Sequence, residues 1–427
     1  MATKKPTPTL RIAPTPTLRI APSPTGELHI GSLGMAIVNY MLAKSMGGIF
    51  NIRIEDTDQK RQVDGADLRF IEAFERFGLT FANKKNIPYQ STRGKLYQAA
   101  AEKLVKAGKA YEEEGCVRLR SNLEAEPIKF VDLIKGNMLL PALDRDPVIL
   151  KSTGIPPYNL AHIVDDLAMG TTHVVRGEEW LPSTAEHIQI YEAIHGTRQT
   201  PWQYAHMPVI CIMEDGHKRK LSKRKDKEAL VQHFLSVGYP TDAIVEYLLT
   251  IYNTDYEMWR TQNPNAHWKD FHFRFEKIGS NSPLFDWDKL NNISMNYIAK
   301  MKIDELMTEI KAFYSDKFSK AQYDNIKTLL NIDRGTERPR KDIVKYADVE
   351  TEFDYLFRPV KMSKLLEKYK TLLDGACDKD IWFNECKSRA TEFGFKNVRE
   401  FTQAIRVELT GRERSTDLYT ISKILLG

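Results

Sequence analysis

The spacing of apolar residues changes period along the first 240 positions. Leu18-Arg19-Ile20-Ala21 reads as a short strand and 22–27 as a turn. From Leu28 a helix follows in which Ile30, Leu33, Ile37, Tyr40 and Met41 share a face, with Gly47-Gly48 as the stop. Phe50, Ile52 and Ile54 then alternate with Asn51, Arg53 and Glu55, which predicts a second strand. A strand, helix and strand in this order predict a parallel sheet. Between 78 and 157 the pattern breaks into a helix near 97–107 and short strand-like pieces at Val117-Arg118-Leu119 and Val148-Ile149-Leu150, as expected of an insertion between two halves of the sheet.

The α/β pattern resumes with a strand at His173-Val174-Val175-Arg176. Ser183 with Glu186 predicts a capping box for a helix running through Ile188, Tyr191 and Ile194 to Gly196. Beyond Tyr239 the period is helical, with apolar positions at Ile244, Tyr247, Leu248 and Ile251, then at Ile303, Leu306, Ile310 and Phe313; strand signals almost vanish after Lys302. The start is set apart by a repeat: Pro6-Thr7-Pro8-Thr9-Leu10-Arg11-Ile12-Ala13 recurs unchanged over 14–21, and a third near-copy begins at Pro22. Its prolines break any continuous helix, so 1–17 are expected to form an extended tail. The chain thus divides into that tail, an α/β domain in two parts (18–78 and 158–238), an insertion (79–157), a junction (239–301) and a helical region (302–427).

At 427 residues there is room for about three domains. With 42% hydrophobic and 28% charged residues and no run of eighteen apolar positions, the chain reads as globular without a membrane-spanning helix. Its 62 basic against 57 acidic residues leave a net charge of +5, a weak pull toward polyanions, so local charge must decide. Cys116, Cys211, Cys377 and Cys386 show no C-x-x-C spacing, which points to a reducing compartment and no cysteine-rich zinc site.

Two segments carry candidate chemistry. Pro22-Ser23-Pro24-Thr25-Gly26 leads into Leu28-His29-Ile30-Gly31-Ser32 at the mouth of the first helix, where unpaired backbone N–H groups and the helix dipole favour phosphate. His29 can donate to a phosphate oxygen there, and Gly31 leaves room for a flat ligand. Lys218 to Lys227 hold seven basic residues in ten, with Ser222 between Lys220 and Lys223. Such a run is most often a solvated face. It also suits a loop folding over a triphosphate, its ammonium groups stabilising charge on departing pyrophosphate.

Together, in this order and on a β-α-β background, these segments resemble the glutamyl-tRNA synthetases, class I aminoacyl-tRNA synthetases with the signatures HIGH and KMSKS. His29-Ile30-Gly31-Ser32 matches the first and Lys220-Leu221-Ser222-Lys223-Arg224 the second. The flanking text is more specific: 19–26 before the histidine, Ile52-Arg53-Ile54-Glu55-Asp56-Thr57-Asp58 after it, then Val164-Asp165-Asp166, Val175-Arg176-Gly177-Glu178-Glu179-Trp180 and His206-Met207-Pro208. The resemblance runs from Leu18 to Ala299 and more faintly to the end.

It implies a Rossmann-like parallel-sheet catalytic domain with an inserted acceptor-stem-binding domain, a stem-contact domain at 239–301 and a mainly α-helical anticodon-binding half. It also implies that Arg19, Ser23, Glu55, Tyr158, His162 and Arg176 line a glutamate pocket, two guanidiniums pairing with the carboxylates and Glu55 facing the ammonium. His29, Gly31, Glu179, Lys220, Lys223 and Arg224 would hold ATP, with His29, Lys220 and Lys223 as the catalytic set and Trp180 near the nucleotide or the tRNA end. The implied co-substrate is ATP with Mg²⁺, without zinc; the partners are L-glutamate and tRNA-Glu, the place the cytoplasm, the state a monomer away from membranes.

Two departures temper the transfer. His162 stands where many relatives carry asparagine or another small residue, and a histidine's charge changes near pH 6.5. The insertion and the C-terminal region are short, and the insertion keeps Cys116 alone of a zinc-binding cluster. Charging of tRNA-Gln, or glutamylation of queuosine in tRNA-Asp, remains open inside the family. The 125 residues after Lys302, with Arg338, Arg340, Lys341, Arg358 and Lys361 as phosphate contacts, favour the full synthetase over the second of these. A silent synthetase-like RNA-binding protein has no use for His29 and Lys223 beside an intact Arg19 and Glu55. For a nucleotidyltransferase that never meets RNA, the helical half is superfluous.

Overall fold

The structure, a computed structural model, describes residues 14–122, 124–222, 224–376 and 378–427. The repeat's first copy and Lys223 lie outside these. The described residues form two compact units, one of those from 14 to 234 with 244–286, the other of 235–243 with those from 287 to 427.

In the first unit the predicted β-α-β is present. Strand β1 (Thr17–Ile20), helix α1 (Ile30–Ser45) and strand β2 (Ile49–Ile52) follow in order, and β1 pairs with β2 in parallel, Leu18 opposite Phe50. β1 begins one residue earlier than expected. Thr17 N–H donates to Thr172 Oγ1 at 2.7 Å, and Pro16 O accepts from Ile49 N–H at 2.7 Å, so the expected tail ends inside the sheet. Strand β2 ends at Ile52, short of the expected Glu55; Arg53 and Ile54 just beyond it are both fully buried, Arg53 on the carboxylates of Asp166 and Glu55.

Next come α2 (Ala66–Arg76), α3 (Gly94–Lys106), and strands β3 (Ala110–Glu113), β4 (Cys116–Leu119), β5 (Ile128–Asp132), β6 (Gly136–Leu140) and β7 (Val148–Leu150). Helix α4 (Tyr158–Ala168), strand β8 (His173–Gly177), helix α5 (Thr184–His195), strand β9 (Gln203–Met207) and the hairpin of β10 (Cys211–Glu214) with β11 (His217–Lys220) complete the α/β region. β8 and β9 run parallel, and β5 joins β9 through Asp132 opposite Tyr204. The insertion is therefore not a separate lobe: its β5–β6 hairpin extends the sheet, while β3, β4 and β7 form an antiparallel sheet of their own. The capping box at Ser183 is absent. Glu178–Trp180 form a 3-10 turn that runs straight into α5, and the N–H groups of Leu181, Ser183 and Thr184 are already bonded to Glu178, Trp180 and Leu181 carbonyls. Ser183 is itself in helical rather than extended backbone, and its hydroxyl makes no capping bond. Gly196 ends α5 in the left-handed conformation, as expected.

Residues 244–286 pack on this unit through aromatic contacts. Trp268 meets Tyr40 edge-on at 6.2 Å, and Phe275 stacks on His173 at 5.6 Å. The expected junction 239–301 is thus divided between the two units. After the short helix α6 (Val231–Ser236), the apolar positions read in α7 (Thr241–Tyr252), Ile244, Tyr247 and Leu248, are fully buried. Helix α8 (Tyr256–Gln262) follows.

The second unit is helical: α9 (Trp287–Lys300), α10 (Ile303–Tyr314), α11 (Lys320–Leu330), α12 (Asp348–Glu352), α13 (Lys364–Gly375), α14 (Lys379–Arg389), α15 (Val398–Thr410) and α16 (Leu418–Leu426). Among the described residues after Lys302 there is no strand. One core gathers Leu306, Ile310, Ile326 and Phe353; a second gathers Leu366, Tyr369, Trp382 and Phe401. Of the basic residues expected to meet phosphate here, Arg340 is forked onto Asp342 at 2.8 and 2.9 Å and Arg358 donates to Thr410 O.

Candidate active site

A cleft of about 560 Å³ opens in the first unit at the C-terminal ends of the parallel strands β1 and β8, where ligands of α/β sheets settle. Its wall brings together Arg19, Ser23, His29, Gly31, Glu55, Tyr158, Arg176, Glu179, Trp180 and Lys220 from five separate stretches of chain. The two signature segments therefore meet in one cavity. His162 and Arg224 are not on its wall, and Lys223 falls outside the described residues.

His29 is the N-cap of α1: its Nδ1 accepts from Gly31 N–H at 3.1 Å. In the neutral ring the proton then sits on Nε2, which makes Nε2–H the donor. Gly31 has a local purpose the sequence did not show, since a Cβ there would lie 3.2 Å from that same Nδ1. The helix starts at Ile30 rather than Leu28 because His29 is held extended as the cap.

The basic hairpin is less bare than its sequence suggests. Arg219 forks onto Asp226 with two bonds of 2.7 Å and donates to Glu214 at 2.6 Å. Asp226 also accepts from Ser222 N–H at 2.8 Å, tying the signature loop into a closed turn. Lys220 Nζ lies 3.1 Å from Glu179 Oε1, an exposed pair worth little stability that a polyphosphate could displace.

Behind this wall lies a buried charge network. Tyr158, His162 and Asp166 succeed one another every fourth residue on α4, hence on one helix face. Asp166 takes Arg19 Nε and Nη2 at 2.9 and 3.0 Å and Arg53 Nη1 at 2.8 Å. Burial alone would raise its pKa, but the two guanidiniums hold it well below the usual carboxylate range. Asp165 faces the other way, to Arg93 Nε at 2.7 Å, Gln90 Nε2 at 2.9 Å and Tyr97 OH at 2.8 Å. Glu55 pairs with Arg53 at 2.8 Å, and burial outweighs that pairing to leave its pKa raised. The two-arginine cradle is accordingly modified: Arg19 spends one edge on Asp166 and keeps only the outer N–H of each terminal nitrogen for a ligand, with Val175 O weakly engaged at 3.4 Å.

Arg176 is bound differently. Its Nε donates to His206 Nε2 at 3.0 Å, Nη1 to His187 Nδ1 at 3.0 Å, and Nη2 to Thr184 Oγ1 at 2.9 Å and Trp180 O at 3.3 Å. Each of these acceptors is neutral, and among the described residues no carboxylate pairs with this guanidinium. One N–H on Nη1 is left over.

His162 corrects two expectations. It is fully buried, stacked between Tyr158 (5.4 Å) and His187 (4.5 Å), so Tyr158 stands between it and the cleft wall. Burial drives its pKa well below the ordinary histidine value despite Asp166 Oδ2 at 3.1 Å, and its charge does not change near pH 6.5. Trp180 is 39% exposed and covers Tyr158 at 4.3 Å.

Sequence reasoning gave no role to Arg53, Asp165, Asp166, His187 or His206. The signal was there for four of them, since Arg53, both aspartates and His206 fall in matched blocks; His187 carried none. Among the described residues no cluster of three or more His, Cys, Asp or Glu side chains is arranged to hold a metal, and no helix is long and apolar enough to cross a membrane.

Residues 17–115 and 112–263 match the family of tRNA synthetases class I (E and Q), catalytic domain. The chain is 34% identical to the glutamate–tRNA ligase of Clostridium perfringens over 94% of its own length and 90% of that protein. It is 32% identical to the mitochondrial glutamate–tRNA ligase of Schizosaccharomyces pombe over 69% and 64% of the two chains. In fold it is similar to the crystal structure of a glutamate tRNA ligase from Elizabethkingia meningosepticum in complex with its amino acid, with a TM-score of 0.78 over 96% of each chain at 22% identity.

Proposed function

The chain belongs to the class I tRNA synthetases of the E and Q group, and from that premise we propose that it is a glutamate–tRNA ligase acting on tRNA-Glu. The glutamate α-carboxylate attacks the α-phosphorus of ATP, forming the mixed anhydride glutamyl-adenylate and releasing pyrophosphate. A hydroxyl of the terminal tRNA ribose then attacks the activated carbonyl and AMP leaves. Such chemistry needs positioning and charge stabilisation rather than a covalent nucleophile.

His29 Nε2–H and the N-terminus of α1 serve the phosphates, together with Lys220, Lys223 and Arg224 of the second signature. Gly31 and Glu179 border the nucleotide. Arg176 and the outer N–H groups of Arg19 receive the substrate carboxylates; Ser23 and Tyr158 line the pocket and Glu55 faces the ammonium. His162 acts from behind Tyr158. Mg²⁺ accompanies ATP as part of the co-substrate: the cleft carboxylates Glu55 and Glu179 are taken up by Arg53 and Lys220, so the protein offers it no ligand set, and no step here runs through it. The β5–β6 insertion is read as the acceptor-end surface and the helical unit as the anticodon reader, in a cytoplasmic monomer.

The observation that carries this reading is the cleft in which the capped mouth of α1, the end of β11 and the unneutralised Arg176 converge. The test is aminoacylation of purified tRNA-Glu and tRNA-Gln transcripts with glutamate and glutamine offered in parallel. Charging of tRNA-Glu with glutamate is the expected result; no charging of either transcript with glutamate would overturn it.

A further inference from the structure

Arg176 is 5% exposed and ringed by groups that are buried completely: His187, His206 and Thr184. Arginine is always charged, and a buried charge normally sits on a carboxylate, as Arg19 and Arg53 do on Asp166. Here the ring is neutral by construction. A guanidinium can only donate, so His206 Nε2 and His187 Nδ1 must accept, and each ring carries its proton on the other nitrogen. Those nitrogens are themselves accounted for: His206 Nδ1–H donates to Asp132 Oδ2 at 2.6 Å, and His187 Nε2–H donates to Asn159 Oδ1 at 2.9 Å. Asp132 is in turn fixed by the N–H groups of Ile134 and Lys135, both at 2.9 Å. The Tyr204 ring, 5.7 Å from Arg176 Cζ, adds a further neutral face.

We propose that His187 is a specificity-determining positioning residue: as a neutral acceptor it aims Arg176 while leaving its positive charge for the side-chain carboxylate of the substrate, so that an amide is refused. The inference rests on the glutamate-activating reading above. Were the acceptor anionic, Arg176 would be equally well held but its charge would be answered inside the protein. A carboxylate substrate would then lose its advantage over an amide, whose oxygen can use the same N–H.

The acceptors facing Arg176 come from α5 (Thr184, His187), β9 (His206) and the turn at Trp180. The charged groups of neighbouring elements are Asp132 on β5, which is bonded to His206, and Asp166 on α4, which is bonded to Arg19 and Arg53. None of these supplies an anion to Arg176 directly.

The test compares His187→Gln with His187→Glu in the full-length protein, two replacements of equal size that differ in charge. ATP–pyrophosphate exchange is measured with tRNA present against glutamate and glutamine concentration. His187→Gln is expected to keep KM for glutamate within about threefold of the unaltered enzyme, while His187→Glu raises it about tenfold or more and narrows the glutamate preference, with KM for ATP unchanged in both. Equal KM values for glutamate in the two variants would overturn the inference. If His187→Glu does not fold, His187→Asn and His187→Asp, a shorter pair that likewise differs in charge, carry the test: the aspartate should raise KM for glutamate about tenfold or more over the asparagine with KM for ATP unchanged, and equal values would overturn the inference. Exchange by the unaltered enzyme tests the functional reading separately, because its absence condemns that reading whatever the variants do.

Discussion

Arg19 turns its Nε and Nη2 onto Asp166, 147 residues away, at 2.9 and 3.0 Å, and Arg53 closes the same carboxylate from the other side at 2.8 Å. A guanidinium on the cleft wall is thereby aimed by a residue that is not on that wall. Removing one member of a buried ion network leaves the others unanswered, which costs about 3–5 kcal/mol.

Asp166→Ala should therefore lower stability by about that amount in urea unfolding. Where the variant still folds, KM for glutamate should rise about tenfold or more, as Arg19 loses its fixed edge. A variant with normal stability would show that Arg19 and Arg53 find other partners.

His29 caps α1 through Nδ1, and under the proposed function it also donates to phosphate through Nε2. His29→Ala removes both, and should slow exchange about tenfold or more while costing about 1 kcal/mol of stability. His29→Asn keeps a side chain that caps well but cannot reach as far, so stability should recover without the rate. Recovery of both in steady-state exchange would place the phosphate contact elsewhere.

How much of this was legible depends on distance along the chain. The β-α-β start could be read because its period lies within forty residues, and the helical half because Leu306 and Ile310 repeat on one face. The insertion's attachment to the sheet could not, since Asp132 meets Tyr204 across 72 positions and nothing local announces it. In the site, the wall residues were readable from motif text. Their supports were not: Arg53 looked like the solvent side of an alternating strand, and His162 like a wall residue. A buried ion network and one stacked ring decided otherwise. Ser183 shows the converse error, a correct local pattern overridden by a preceding 3-10 turn that delivers Ser183 in helical backbone instead of the extended backbone a capping serine adopts.

The signature loop gives a third prediction. Asp226 holds Arg219 by two bonds and Ser222 by its backbone, so Asp226→Ala should open the turn. Seven basic residues there make the loop a ready substrate for trypsin. Cleavage between Lys218 and Lys227, followed by mass spectrometry, should become about tenfold faster in the variant, in line with a population of open loop set by the lost charge-assisted bonds. Added ATP should slow it in both proteins. Identical cleavage rates would mean that Asp226 does not restrain the loop.

The last prediction concerns pH. Burial is the largest force on His162, His187 and His206, and lowers the pKa of each; the hydrogen bond from His206 to Asp132 offsets only part of it. As pH falls below about 6.5 the unfolded chain protonates these rings, while in the folded chain burial disfavours their charged form. The unfolded state then binds more protons, so stability is fully present above about pH 7 and falls as pH drops through the unfolded value. Glu55, with its raised pKa, works in the opposite sense, but it is one carboxyl against three imidazoles and acts mainly upward from its unfolded value near 4.5. Urea midpoints measured from pH 7.5 to 5.5 should therefore decline on acidification. His162→Asn, which removes one of the three rings without leaving a titrating group, should make that decline shallower. An unchanged slope in the variant would mean that His162 takes up its proton in the folded protein after all, with Asp166 rather than burial setting its charge.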